Sequence, residues 1–363
     1  MGLIKFNNEQ KLIQSEIKKI AIQEIEPLSQ DIEKNGKIPE EIFKKLIELG
    51  LLSPIIPNEY GGAGMDTTSL CIIIEELSKS CASLGLVLAV NNGLAGFTLL
   101  KSQGEKFRPF LNRLANGEIA GFSIDNDSKE IKIIQEKPLI INGTKRFVLN
   151  GEMATFFLFS LNTERSAGLF LVEKTKIEKT EKPYVLGMSS AGIIDVHFEN
   201  LQLSEDSCLV NRVDYNDGIE EINRYFQLCL SAVALGIAEA GLEASIKYSK
   251  ERRQFNRPIC EFPMVQQMLA EMKVKIESGR NLVYDAVNKF DSGEDYTLAT
   301  DIAFAESAET AVFCGIKSVQ IFGGYGYTKD YPVERYLRDA KTLQILGESP
   351  IKIKEEIAQI IIG

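Results

Sequence analysis

Residues 320–363 read QIFGGYGYTKDYPVERYLRDAKTLQILGESPIKIKEEIAQIIIG. A helical pattern stops at the paired glycines Gly323 and Gly324, which combine poor helix propensity with backbone freedom. An aromatic-glycine-aromatic turn, Tyr325-Gly326-Tyr327, follows. Then comes a charged run ending in Arg338-Asp339-Ala340-Lys341, the short stretch Ile345-Leu346-Gly347-Glu348-Ser349, and a final amphipathic segment.

Working back toward the N-terminus, the helical character continues to about residue 216. Segments 219–250 and 262–290 are long, and YTLATDIAFAESAETAVFCGIKSVQIFG is alanine-rich with spacing suited to close helix packing. Residues from about 118 to 208 change period. Asn142-Gly143 between two β-rich runs predicts a hairpin turn, ATFFLFSL and AGLFLVEK read as apolar strands, and DVHFENLQL alternates. This zone reads as a small β domain or barrel. Residues from about 8 to 115 are helical again. Phe43, Leu46 and Ile47 share a face with Gly50 as the stop, and a second helix opens near Asp66 with Thr67 or Thr68 as its cap. SLGLVLAVNNGLAGFTLLKSQG is apolar on nearly every side, the pattern of a helix at the centre of a bundle. The expected domains are 1–117 helical, 118–215 β, and 216–363 a helical bundle.

Composition narrows the function. A chain of 363 residues buries a large core. Its 41 basic and 51 acidic side chains, net −10, argue against binding a phosphate backbone as the main activity. No apolar run is expected to reach the length of a membrane span. The start, MGLIKFNNEQ, does not read as a signal peptide and has Phe6 where myristoylation wants Ser or Thr, so a cytoplasmic location is expected. The six cysteines lack metal-ligand or redox spacing and read as small buried apolar side chains. With His197 the only histidine, a multi-histidine metal site is excluded and a Ser-His-Asp triad would have to use that one residue.

The C-terminal order resembles the signature of the acyl-CoA dehydrogenases, which are FAD enzymes. Two other segments carry the same likeness. Pro57-Asn58-Glu59-Tyr60-Gly61-Gly62-Ala63-Gly64 resembles the family's PEEYGGxG, and Glu251-Arg252-Arg253-Gln254-Phe255-Asn256-Arg257-Pro258-Ile259 resembles its ERxQFGxPI with Asn256 for the glycine. The resemblance implies an α+β fold: an N-terminal helical domain, a central β-barrel-like domain and a C-terminal four-helix bundle. It also implies a homotetramer with FAD at a subunit interface. Arg252, Gln254 and Phe255, with Gln320, Gly323 and Gly324, would meet the FAD of a neighbouring subunit. Arginine suits a pyrophosphate, and glycines admit close approach.

Three stretches depart from the family pattern. Where members have a glycine-rich Thr-Glu-Pro-Gly-Ala-Gly-Ser-Asp-like stretch, this chain has Ser123-Ile124-Asp125-Asn126-Asp127-Ser128. By resemblance, Ser123 and Asn126 would still contact the flavin, as would Phe147, which stands for the Trp of K-x-W-I-T-N-G. Where members read Ile-Tyr-Glu-Gly-Thr, with the Glu as base, this chain has Gly347 at the base position, then Glu348 and Ser349. Dehydrogenation needs a carboxylate to take the α-proton while hydride leaves the β-carbon. Glu348 is the candidate base, the Gly347 N–H a donor to the thioester carbonyl, and Ser349 a further cofactor contact. The third departure closes an alternative. Members that carry their base on an earlier helix would place it at Phe226, and the helix arginine next to it falls on Gln227. Arg224 could serve only in a shifted helix, and Glu220 and Glu221 read as exposed near the helix start.

The leading expectation is an FAD-dependent oxidoreductase acting on the CH–CH bond of an acyl-CoA or acyl-carrier thioester, with an electron-transferring flavoprotein as the family's usual acceptor. A rival is a catalytically silent subunit that completes the FAD site of a homologous dehydrogenase in a hetero-oligomer. A third keeps the flavin and changes the reaction to a reduction, an elimination or a desulfination.

Overall fold

The computed structural model describes residues 5–102, 105–123, 130–162, 167–210 and 215–363. The N-terminal helices are α1 (Asn8–Ile20), α2 (Ser29–Asn35), α3 (Glu40–Glu48), α4 (Thr67–Ser80), α5 (Ala82–Leu88), α6 (Phe97–Lys101) and α7 (Arg108–Ala115). A π-helical stretch, Ala89–Gly96, makes α5 and α6 one continuous rod. Helix α1 opens on a reciprocal capping box between Asn7 and Gln10. The cap of α4 is Asp66, not Thr67 or Thr68: its carboxylate accepts from Ser69 N at 2.7 Å. The two threonine N–H groups instead donate to the Asp291 carboxylate at 3.0 and 2.9 Å, so a charged group from a distant helix takes the role expected of a hydroxyl.

Among the described residues, eight strands lie between α7 and the next helix: β1 (Ala120–Ser123), β2 (Ile131–Glu136), β3 (Leu139–Val148), β4 (Phe156–Asn162), β5 (Ala167–Glu173), β6 (Lys179–Glu181), β7 (Ile194–Leu203) and β8 (Cys208–Val210). They form two four-stranded sheets, ordered β1-β4-β5-β8 and β2-β3-β7-β6, with β1 and β4 parallel. Phe157, Phe159 and Leu161 on one face of β4 pack with Ile141, Val196 and Phe198 of the other sheet. Phe156 and Leu158 on the opposite face join the core of the helices. This double burial explains why ATFFLFSL shows no alternation. The arrangement is a pair of stacked sheets, linked at one edge by the bridge between Phe122 and Leu149.

The hairpin expected at Asn142-Gly143 is not there. β3 runs straight through those residues, and the turn from β2 lies at Lys137-Pro138. Gly143 has φ +141° at a register shift against β7, and a Cβ there would lie 2.0 Å from Glu130 O. The glycine marks a bulge rather than a turn.

The C-terminal helices are α8 (Tyr215–Glu251), α9 (Pro263–Asp291), α10 (Thr297–Phe322), α11 (Val333–Leu346) and α12 (Pro350–Ile362). A two-strand ribbon, β9 (Arg253–Gln254) with β10 (Arg257–Pro258), joins α8 to α9. Arg280 of α9 donates to Glu75 of α4 and Glu239 of α8, both at 2.8 Å, tying three helices together. Ala82–Lys101 and Asn216–Glu251 are long and apolar enough to cross a membrane by length and composition, which corrects the expectation from sequence. The apolar windows are 94% and 78% buried within the protein, where they form its core.

Candidate active site

Where the stacked sheets meet α11, a cavity of about 760 Å³ opens between Phe122, Ser123, Phe147, Thr342, Ile345 and Leu346. The chain presents Phe147 deliberately. The β3–β7 register shifts between Lys145 and Val148, and Phe147 takes φ +51° with its N–H donating to Asp195 Oδ1 at 2.8 Å. A bulge of this kind re-aims a side chain, and 54% of Phe147 is left exposed. Ser123, at the end of β1, lies beside it and is buried. Asn126 lies outside the described residues.

Ile345 and Leu346 line this cavity, and Glu348, just beyond the end of the same helix, lines a second one. Gly347 ends α11. A Cβ on it would lie 2.2 Å from Phe304 Cζ and 2.9 Å from Leu230 Cδ1, so the packing admits no side chain. Its carbonyl accepts from Gln227 Nε2 of α8 at 3.0 Å. Glu348 adopts φ +124°, a backbone region natural to glycine. Its carboxylate accepts from Lys352 Nζ at 2.6 Å and faces the second cavity, not the one that holds Phe147. The Ser349 hydroxyl caps α12 by accepting from Lys352 N at 3.2 Å.

The second cavity, about 450 Å³, is polar. Arg224 and Gln227 of α8, Asp301 of α10, Glu348, and Lys352 and Glu356 of α12 contribute to its wall. Arg224 pairs with Glu220 at 2.7 Å. Asp301 is only 1% exposed, its Oδ2 has no hydrogen-bond partner among the described residues, and burial pushes its carboxyl up to about 6. Sequence reasoning missed Asp301. The signal was a single acid at the start of an otherwise apolar and hydroxyl-bearing run, TLATDIAFA, where a charge is costly unless it has work to do. Phe226, the alternative base position, is buried 1% exposed against the space beside Gly93.

A third feature lies on the outer surface. Arg252, Gln254, Phe322, Gly323, Gly324 and Tyr325 line an open groove of about 510 Å³. Arg252 stands over the Tyr325 ring at 5.9 Å. Phe255 and Asn256 form the ribbon turn with φ +49° and +64°, the paired positive values that make Asn or Gly the preferred second residue. Phe255 is 88% exposed, and Gln320 is exposed nearby on α10. Gly324 is the informative glycine: its φ is not positive, and a Cβ on it would meet nothing within 4 Å. Nothing among the described residues requires a glycine there. The structure therefore separates the expected site residues into an aromatic cavity (Ser123, Phe147), a dividing segment (Gly347, Glu348, Ser349) and an outward groove (Arg252, Gln254, Gly323, Gly324).

The family model described as the acyl-CoA dehydrogenase N-terminal domain matches residues 7–118, and that for the C-terminal domain matches residues 221–351. The short-chain specific acyl-CoA dehydrogenase of Clostridium acetobutylicum is 33% identical over 93% of this chain and 93% of its own length. The cyclohexane-1-carbonyl-CoA dehydrogenase of Syntrophus aciditrophicus is 34% identical over 91% of this chain and 90% of its own. The solved structure of butyryl-CoA dehydrogenase from Megasphaera elsdenii superposes with a TM-score of 0.92 at 25% identity, covering 99% of this chain and 100% of that one. The helix–sheet–helix architecture and these alignments, which run through both helical regions, agree: the chain belongs to the acyl-CoA dehydrogenase family.

Proposed function

We propose that this protein is an FAD-dependent oxidoreductase acting on the CH–CH bond of an acyl thioester, with Glu348 in place of the base that the family carries at the position of Gly347. The observation that carries this reading is that the one stretch which ends α11 supplies Ile345 and Leu346 to the aromatic cavity and, just past Gly347, the carboxylate of Glu348.

The residues present fit FAD. The first cavity is roomy and lined largely by apolar groups, with the exposed Phe147 ring offering a face for a planar heterocycle. The outward groove offers Arg252 for a pyrophosphate and Gly324 for close approach, in keeping with a cofactor shared between subunits. Ser123, Phe147 and Asn126 would hold one subunit's FAD; Arg252, Gln254, Phe255, Gln320, Gly323 and Gly324 would hold its neighbour's. When bound, FAD supplies a two-electron acceptor for the hydride that leaves the β-carbon.

The chain's own residues supply the rest. Gln227 pins the Gly347 carbonyl and so fixes the end of α11 against α8. The strained backbone at Glu348 places a carboxylate on the polar cavity, and such strain is kept where the surroundings enforce it and function uses it. Lys352 donates to that carboxylate, the group proposed to take the α-proton. A homo-oligomer and an electron-transferring flavoprotein as acceptor complete the reading.

A second reading has one observation in its favour: Glu348 is engaged by Lys352 and does not line the aromatic cavity. On that reading the chain is a silent subunit completing a homologue's FAD site. Anaerobic mixing of the FAD-loaded protein with short-chain acyl-CoAs separates the two. Flavin bleaching that slows by roughly 10²- to 10⁴-fold in Glu348→Gln supports Glu348 as base. Bleaching at an unchanged rate removes Glu348 from the chemistry, and absence of bleaching in the unaltered protein favours the silent subunit.

A further inference from the structure

Around the polar cavity, four carboxylates (Glu220, Asp301, Glu348, Glu356) face two cations (Arg224, Lys352). Both cations are engaged: Arg224 with Glu220 at 2.7 Å, and Lys352 with Glu348 at 2.6 Å and Glu356 at 3.7 Å. Of the four carboxylates, Asp301 is the one whose buried Oδ2 has no hydrogen-bonding partner among the described residues, although it is 1% exposed and belongs to the cavity wall. A carboxylate removed from water at that cost is retained where a donor arrives to meet it.

We infer that this cavity receives an acyl group bearing an ammonium, and that Asp301 is the specificity-determining residue that accepts from it. The inference rests on the acyl-thioester reading above and names the class of acyl group. An aliphatic acyl chain would leave Asp301 desolvated and unpaired. An ammonium supplies three donors and the charge that the wall lacks. Asp301 plays no part in the proton transfer assigned to Glu348; it positions the ligand.

Isothermal titration of the full chain, under anaerobic conditions, with β-alanyl-CoA against butyryl-CoA and 4-aminobutyryl-CoA against pentanoyl-CoA tests this directly. Within each pair the members differ by an ammonium in place of a methyl group. The expected result is that the ammonium member of at least one pair binds about tenfold or more tighter, the scale of one charge-assisted hydrogen bond. Asp301→Asn is expected to remove that preference while leaving the neutral thioesters bound as before, which also shows that the variant is folded. Equal or weaker binding of both amines, or a preference that survives in Asp301→Asn, overturns the inference and leaves the acyl-thioester reading standing. If none of the four thioesters binds, that reading falls and the inference falls with it.

Discussion

At Glu348 the backbone takes φ +124°, where a side chain costs on the order of 1–3 kcal/mol. Glycine would release that cost but raise the entropy of the unfolded chain, offsetting about 0.5–1 kcal/mol. The exposed pair with Lys352 contributes little. Glu348→Gly is therefore expected to stabilise the protein by about 1 kcal/mol in urea unfolding while abolishing flavin bleaching by acyl-CoAs. A destabilised variant, or one of unchanged activity, contradicts the role given to this residue. At Gly347 the constraint is space. Introducing there the glutamate suggested by family resemblance forces atoms into Phe304 and Leu230, and Gly347→Glu is expected to cost about 1–3 kcal/mol or more. Phe304→Ala in the same chain should recover part of that loss, read as a coupling in a double-mutant cycle. Additive effects would show that Phe304 is not the obstacle.

Among the elements, α11 is held to the loop before β7 by one buried group: Asp339 Oδ1 accepts from Met188 N at 2.7 Å. Burial pushes the Asp339 carboxyl from 3.8 up to about 6. Between those values the folded state binds more protons than the unfolded one, so this group's contribution to stability declines as pH rises through the window. At about 1.4 kcal/mol per unit, that decline is on the order of 3 kcal/mol. Asp339→Asn should therefore gain on the unaltered protein between about pH 4 and 6, as seen in urea midpoints measured across that range. A difference that stays constant with pH contradicts the assignment.

The elements themselves were largely legible. Helix periodicity located α3, α8, α9 and α10, and the nearly all-round apolarity of residues 83–104 points to the central rod, because those signals are local. Gly143 was misread because a glycine beside an asparagine in a β-rich run marks either a turn or a bulge, and only the approach of Glu130 O decides. At the start of α4, Asp66, Thr67 and Thr68 stand in a row as possible caps; Asp66 takes the role, and the threonine N–H groups turn to Asp291, more than two hundred positions away. In the site, Gly347 and Glu348 stood out by their departure from the family pattern. The direction of the Glu348 side chain, the contact of Gly347 with Phe304 and the isolation of Asp301 all depend on how α8, α10 and α12 pack.

On the scale of the whole molecule, the aromatic cavity and the Arg252–Gly324 groove are separate features of one chain, and the proposal joins them only through a second subunit. Gly324→Ala tests that arrangement. With open space around the new methyl group, thermal unfolding of the cofactor-free chain should be unchanged, whereas FAD should be held more weakly in equilibrium titration. Unaltered FAD affinity would remove Gly324 from the cofactor site. Cofactor binding by this chain is tested most simply by the visible absorption spectrum of the chain purified alone, incubated with FAD and desalted. A flavin band retained at close to one cofactor per chain is expected; a folded but colourless protein would contradict the FAD-dependent reading.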